Sequence, residues 1–205
     1  MTLPPATYTR PAIALHWLMA LLIAGAVLIG LVMGEKDILS GDARLAAYQL
    51  HKSIGFTILA LLALRLFWRL THPVPPPPGT MTAKEIAVAK IAHVGLYLLM
   101  LAVPLSGWAV VSSSPRGFPS VWFGLFEIPH IPFLAAMEIE GKAKISEAAG
   151  EVHETMAWIL VALALLHAGA ALHHHFFKKD DVLTRMIPWL SPPSPKPDKG
   201  KEGKT

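Results

Sequence analysis

The chain has 205 residues, 53% of them hydrophobic and 16% charged, with a formal net charge of +4 and a mean hydropathy of +0.48. That balance excludes an ordinary soluble domain of this length, and the lack of cysteine excludes disulfides, iron–sulfur clusters and covalently attached c-type haem. The basic residues flank apolar runs instead of forming a patch interleaved with aromatics, so membrane lipid is an expected partner and nucleic acid is not.

In chain order, Ile13 to Met33 is an apolar run interrupted by His16, and its length matches the roughly 20 residues a helix needs to cross the hydrocarbon core. It exceeds the core of a cleavable signal peptide, and Met33-Gly34-Glu35 is no small-x-small cleavage pattern. The second helix is expected over about 51–70, ending in Arg65, Trp68 and Arg69, side chains suited to the interface. Prolines at 73, 75, 76, 77 and 78 then stop it and favour a short, stiff polyproline connector. A third helix follows over about 91–111, with a kink predicted at Pro104, and a fourth over about 152–177. The fold expected is all-α, a four-helix transmembrane bundle in one domain, 1–188, followed by a disordered Pro- and Lys-rich tail, 189–205.

Charge sets the orientation. Arg10, Arg65, Arg69, Lys84, Lys90, Lys178, Lys179, Arg185 and the tail lysines fall on one side of the bundle. Lys36, Arg44, Lys52, Arg116, Lys142 and Lys144 fall on the other, offset by acidic residues. The positive-inside rule makes the first side cytoplasmic, with both termini inside.

Ionisable residues in membrane helices are costly, so each asks for a partner or a function. His153 and His167 are 14 residues apart, just under four turns, so they share a face of the last helix and sit about 21 Å apart along it. The up-and-down path then brings His16 to the depth of His167 and His51 to the depth of His153. Two imidazoles facing each other inside a bundle can fill both axial positions of a low-spin haem. Zinc, which wants about four ligands, suits such a pair poorly. Interhelical hydrogen bonding by the same histidines stays open as the other reading. Gly25, Gly55, Gly95 and Gly169 are candidates to clear room for a macrocycle, or to allow close packing. No catalytic triad, nucleotide loop or carboxylate pair is present, so no catalytic side chain is expected.

The segments AIALHWLMALLI, LHKSIGFTILALLALRLFWRLTHPVPP, AHVGLYLLMLAVPLSGW and VHETMAWILVALALLHAGAALHHHFFKKDDVLTRMIP resemble the bacterial cytochrome b561 family, over roughly Pro11 to Pro188. The resemblance implies two b-type haems per chain, one held by His16 and His167 toward the cytoplasm and one by His51 and His153 toward the periplasm. It also implies a bacterial inner-membrane oxidoreductase that takes electrons from superoxide and gives them to ubiquinone, with His174 near the quinone. The wider family implies an alternative, a cytochrome b subunit passing electrons between a partner dehydrogenase or hydrogenase and the quinone pool. Lys52, Arg116, Lys142 and Lys144 are candidates to draw an anion to the periplasmic side, whereas Glu127, Glu138, Glu140 and Glu147 in the loop before the last helix would weaken that field. His72 and His130, each beside a proline, carry no expected ligand role, and His93, which opens the third helix on the cytoplasmic side, is expected at the interface or lining the same pocket as His174.

Overall fold

The computed structural model describes residues 7–35 and 37–190. Lys36 and the tail Ser191–Thr205, for which disorder is expected, lie outside the described residues.

Four helices are long and apolar enough to cross a membrane: α1 (Arg10–Gly34), α2 (Gly41–Thr71), α3 (Ala83–Ser112) and α5 (Ile139–His173). Between α3 and α5 lie a small antiparallel hairpin, β1 (Ser120–Trp122) with β2 (Phe126–Ile128), and the short α4 (Pro132–Ala135). The first three apolar runs read from the sequence each fall inside one long helix, and the fourth begins inside α5 and reaches past its end. Three helices nevertheless begin well before their apolar run, because Gly41–Leu50, Ala83–Lys90 and Ile139–Glu151 are good helix formers too polar for hydrocarbon. Thr82 and Glu85 close a capping box at the start of α3, satisfying end donors that the bilayer could not. The α-helical part of α5 ends at His173, short of the expected Phe177. A π-helical turn, His174–Lys178, follows and stops at Lys179, whose φ of 57° is left-handed.

α1 packs along α2 and α3 along α5, and α2 also meets α3. The small core at the first contact is Met19 with Ile54, Ile58 and Leu62, backed by Tyr97 and Met100 of α3. Most other large apolar side chains, such as Leu21, Leu28, Leu165 and Leu166, point outward. In water that would be a liability; against lipid tails it is the matched surface. α3 runs as one helix through Pro104.

The up-and-down path gives the bundle two faces. On the terminal face, the segment after α5 folds back over the helix ends: Trp17 Nε1 donates to the Met186 carbonyl at 2.8 Å, Thr80 Oγ1 donates to Asp180 at 3.1 Å, and Lys178 pairs with Glu85. On the opposite, hairpin face, β1 lies against α2. Gln49 and Lys52 both donate to the Pro119 carbonyl at 2.8 Å, Phe123 N donates to Ser53 Oγ at 3.0 Å, and Trp122 Nε1 donates to Thr57 Oγ1 at 3.1 Å. The hairpin turns at Phe123 and Gly124, with φ of 45° and 77°.

Candidate functional site

The histidines stand in two layers. At the terminal-face level the rings of His16 (α1) and His167 (α5) have centroids 6.2 Å apart; at the hairpin-face level those of His51 (α2) and His153 (α5) are 6.0 Å apart. Each pair spans from the α1–α2 pair of helices to α5, where the closest helix packing does not run. Among the described residues, no group of three or more His, Asp or Glu forms a chelating cluster. Each layer therefore holds one facing pair of imidazoles drawn from α5 and from the α1–α2 side of the bundle.

Sequence arithmetic explains the layering more fully than the histidines alone. His153 and His167 are 14 residues apart, and the same spacing joins His16 to Gly30, His51 to Arg65 and His93 to Gly107. Every long helix thus presents one residue to each layer on a single face. The terminal-face layer receives His16, Arg65, His93 and His167. The hairpin-face layer receives Gly30, His51, Gly107 and His153.

The two layers have different chemistry. In the hairpin-face layer, His51 Nδ1 lies 2.9 Å from the Ala26 carbonyl and His153 Nδ1 lies 2.8 Å from the Val103 carbonyl. A carbonyl only accepts, so both Nδ1 atoms carry the proton and both Nε2 atoms keep a free lone pair. Two glycines make this possible. A Cβ at Gly107 would come within 3.0 Å of His153 Cε1, and one at Gly30 within 3.3 Å of His51 Cε1. Of the glycines nominated from the sequence, Gly95 packs on Leu163, whereas a Cβ at Gly25, Gly55 or Gly169 would meet no protein atom. The approaches to a histidine ring fall at Gly30 and Gly107.

In the terminal-face layer no carbonyl accepts from His16 or His167 among the described residues. Arg65 takes that place: its Nη2 stands 3.1 Å from His16 Nδ1 and its Nε donates to the Tyr97 hydroxyl at 3.2 Å. His93 is exposed, and its ring nevertheless reaches His167, with centroids 5.1 Å apart.

Residues 7–189 match the family described as prokaryotic cytochrome b561. The chain is 34% identical over 183 residues to cytochrome b561 homolog 2 of Escherichia coli K12, covering 89% of this chain and 92% of that one. To cytochrome b561 homolog 1 of the same organism it is 32% identical over 185 residues, 88% of this chain and 97% of the other. The chain belongs to the prokaryotic cytochrome b561 family. A protein of Yersinia pestis named as a probable superoxide oxidase is 30% identical over 186 residues, with 88% and 96% covered. Cytochromes b561 bind b-type haem and carry electrons in the membrane, so this chain is a multi-pass membrane electron-transfer protein.

As a cytochrome b561 it has a further buried polar group outside both layers. His174, in the π-helical turn, lies 2.6 Å from Asp180 Oδ2, and both side chains are buried on the terminal face. Burial opposes a charge on Asp180, yet hydrogen bonds from His174, the Val182 N–H and Thr80 outweigh it and hold the carboxyl below its usual range. Asp180 is not among the residues nominated from the sequence. His72 stacks on Trp68 with centroids 3.8 Å apart where α2 ends, and Lys52 is tied to the loop before β1.

Proposed function

We propose that this cytochrome b561 carries two haems b, one on His16 and His167 and one on His51 and His153, and passes electrons from superoxide to ubiquinone. The supporting observation is the ring separation in each layer. With metal–imidazole bonds of about 2.0–2.1 Å, two imidazoles on opposite sides of one metal have centroids about 6 Å apart. The pairs at 6.2 and 6.0 Å suit that arrangement, while His93 at 5.1 Å from His167 is too near to be its partner across an iron. When bound, each haem supplies one-electron chemistry at its iron. The protein's part is to orient the ligands. Donation from Nδ1 of His51 and His153 to backbone carbonyls fixes the tautomer with Nε2 free and makes the imidazoles stronger donors.

The positive-inside rule assigns the terminal face, with Arg65, Arg69, Lys84, Lys90, Lys178, Lys179 and Arg185, to the cytoplasm of a bacterial inner membrane. The hairpin face is then periplasmic. There Arg44 and Arg116, with Gly41 and Tyr48, line an open groove of about 350 Å³ that suits approach of a small anion such as superoxide. Ubiquinone reaches the cytoplasmic side from the bilayer, near His174. A second reading, a subunit docked to a dehydrogenase or hydrogenase, draws on the exposed Phe118, which lines the same groove, and on the exposed Phe123, Leu125 and Phe126 of the hairpin. Superoxide generated in a solution of the purified protein, with no partner present, is expected to reduce its haems at a rate that falls with ionic strength. If the absorption spectrum did not change, the docked-subunit reading would replace this one.

Gly107→Val is a steric test of the hairpin-face pair. Its side chain meets the His153 ring, so the variant is expected to lose the spectral component of that layer, at least in part, and to keep the other. Unchanged absorption and haem content would separate Gly107 from the site.

A further inference from the structure

We propose that Arg65 makes the His16/His167 site the stronger electron acceptor of the two, and so sets the direction in which electrons run through the bundle. The inference rests on the two-haem reading above and adds to it a difference between the layers.

Two features separate them. The axial imidazoles of the hairpin-face layer each give their Nδ1 proton to a backbone carbonyl, Ala26 for His51 and Val103 for His153. Such donation increases electron density on the ring, which favours the ferric state and lowers the reduction potential. His16 and His167 have no such acceptor among the described residues. The second feature is charge. Arg65 lies on the same face of α2 as His51, 14 residues further on, and so enters the terminal-face layer, where its Nη2 stands 3.1 Å from His16 Nδ1 and its Nε donates to Tyr97; with His16 as a neutral ligand through Nε2 the proton sits on Nδ1, so the guanidinium acts on the site by its charge and not by donating to the ring. A guanidinium does not lose its proton in proteins. The carboxylates of this face are occupied elsewhere, Asp180 with His174, Glu85 with Lys178 and Asp181 with Arg185, so among the described residues Arg65 has no carboxylate partner. A fixed cation in a weakly polar setting favours whichever redox state carries less positive charge, here the ferrous one.

At the other level, Glu151 and Glu154 flank His153 but are exposed and screened, and Lys52 keeps its charge but extends to the Pro119 carbonyl in the loop before β1, where solvent screens it. Both features therefore act in one sense: a lower potential at the hairpin-face site and a higher one at the terminal-face site. One electron delivered to the first is then drawn to the second without input from the membrane potential.

The test is an anaerobic redox titration of the purified haem-loaded protein, followed in the α-band, on the unchanged protein and on Arg65→Gln and Arg65→Lys. In the unchanged protein, the component that disappears in His16→Ala should be the one of higher potential. Arg65→Gln should make reduction of that component about tenfold less favourable, a drop of about 59 mV for one electron, and leave the other component in place. Arg65→Lys, which keeps the charge, should recover most of the shift. The reverse order in the unchanged protein would overturn the proposal, as would an equal shift of both components or none. So would a rise in Arg65→Gln, which would mean that Arg65 holds His16 as an anionic imidazolate ligand. A protein that binds one haem or none would instead refute the two-haem reading, and pyridine haemochrome on the same samples tells that failure apart.

Discussion

Alanine at His153 is expected to take the haem content from about two per chain to about one, with the lost component that of the hairpin-face layer; alanine at His167 should remove the other. The expectation follows from the way α5 supplies one histidine to each layer while the partners come from different helices. Loss of His153 leaves His51 facing a gap, but it does not touch the His16–His167 pair on the far side of the membrane. Losing either partner of a layer should therefore look alike. His16→Ala should match His167→Ala, and His51→Ala should match His153→Ala, each pair damaging one α-band component. Pyridine haemochrome ratios and difference spectra decide the matter. Were the histidines only interhelical hydrogen-bonding residues, each replacement would cost on the order of 1 kcal/mol of helix association and the ratio would not track the pairs. A protein in which His16→Ala and His51→Ala removed the same component would have a different path through the membrane from the one described.

The spacing that organises the site is visible in the sequence before any coordinates. His153 and His167 give the period directly, and applying it to every long helix finds Gly30, Arg65 and Gly107 without further information. Choosing glycines by their position within apolar runs yields Gly25, Gly55, Gly95 and Gly169 and passes over Gly30 and Gly107, because hydrophobicity alone does not report which residues face a histidine ring. The apolar runs likewise measure the thickness of hydrocarbon, not the length of the helix. Gly41–Leu50 and Ile139–Glu151 continue their helices beyond the bilayer on ordinary helix propensity. Thr82 and Glu85 do announce the early start of α3, as a Thr-x-x-Glu box. The hairpin of β1 and β2 is not legible in this way. Each strand has three residues, and its register depends on Gln49, Ser53 and Thr57 of α2, distant in sequence. Asp180 is hidden for a related reason. Only the π-helical turn and the left-handed Lys179 bring it back onto His174.

His174→Ala is expected to keep both haems and their reduction by superoxide, and to slow quinone reduction at least tenfold. The first half follows from position: His174 is two turns beyond His167 and pairs with Asp180, so neither layer of ring pairs depends on it. The second half follows from what quinone reduction requires, since two electrons must be matched by two protons, and a positioned acid or base contributes typically 10²–10⁴-fold to such a transfer. A histidine ring oriented by a carboxylate is placed to hand a proton on to a bound quinone. Asp180 is charged at neutral pH. Its carboxyl is held below the usual range, so the stability it lends is present above the unfolded value near 3.9 and is lost only as the pH falls through the lower, folded value. The clasp of His174, Asp180 and Thr80 is thus intact throughout the neutral range, and its loss should be seen only in acid. Asp180→Asn keeps the shape and a hydrogen bond but removes the charge, and it should slow quinone reduction in the same direction as His174→Ala. Stopped-flow mixing of the pre-reduced protein with a soluble quinone measures this step apart from electron entry. Two results would return His174 to a structural clasp: normal quinone reduction in His174→Ala, or slow reduction accompanied by loss of the His16/His167 component, which would trace the defect to a disturbed terminal face and not to a proton.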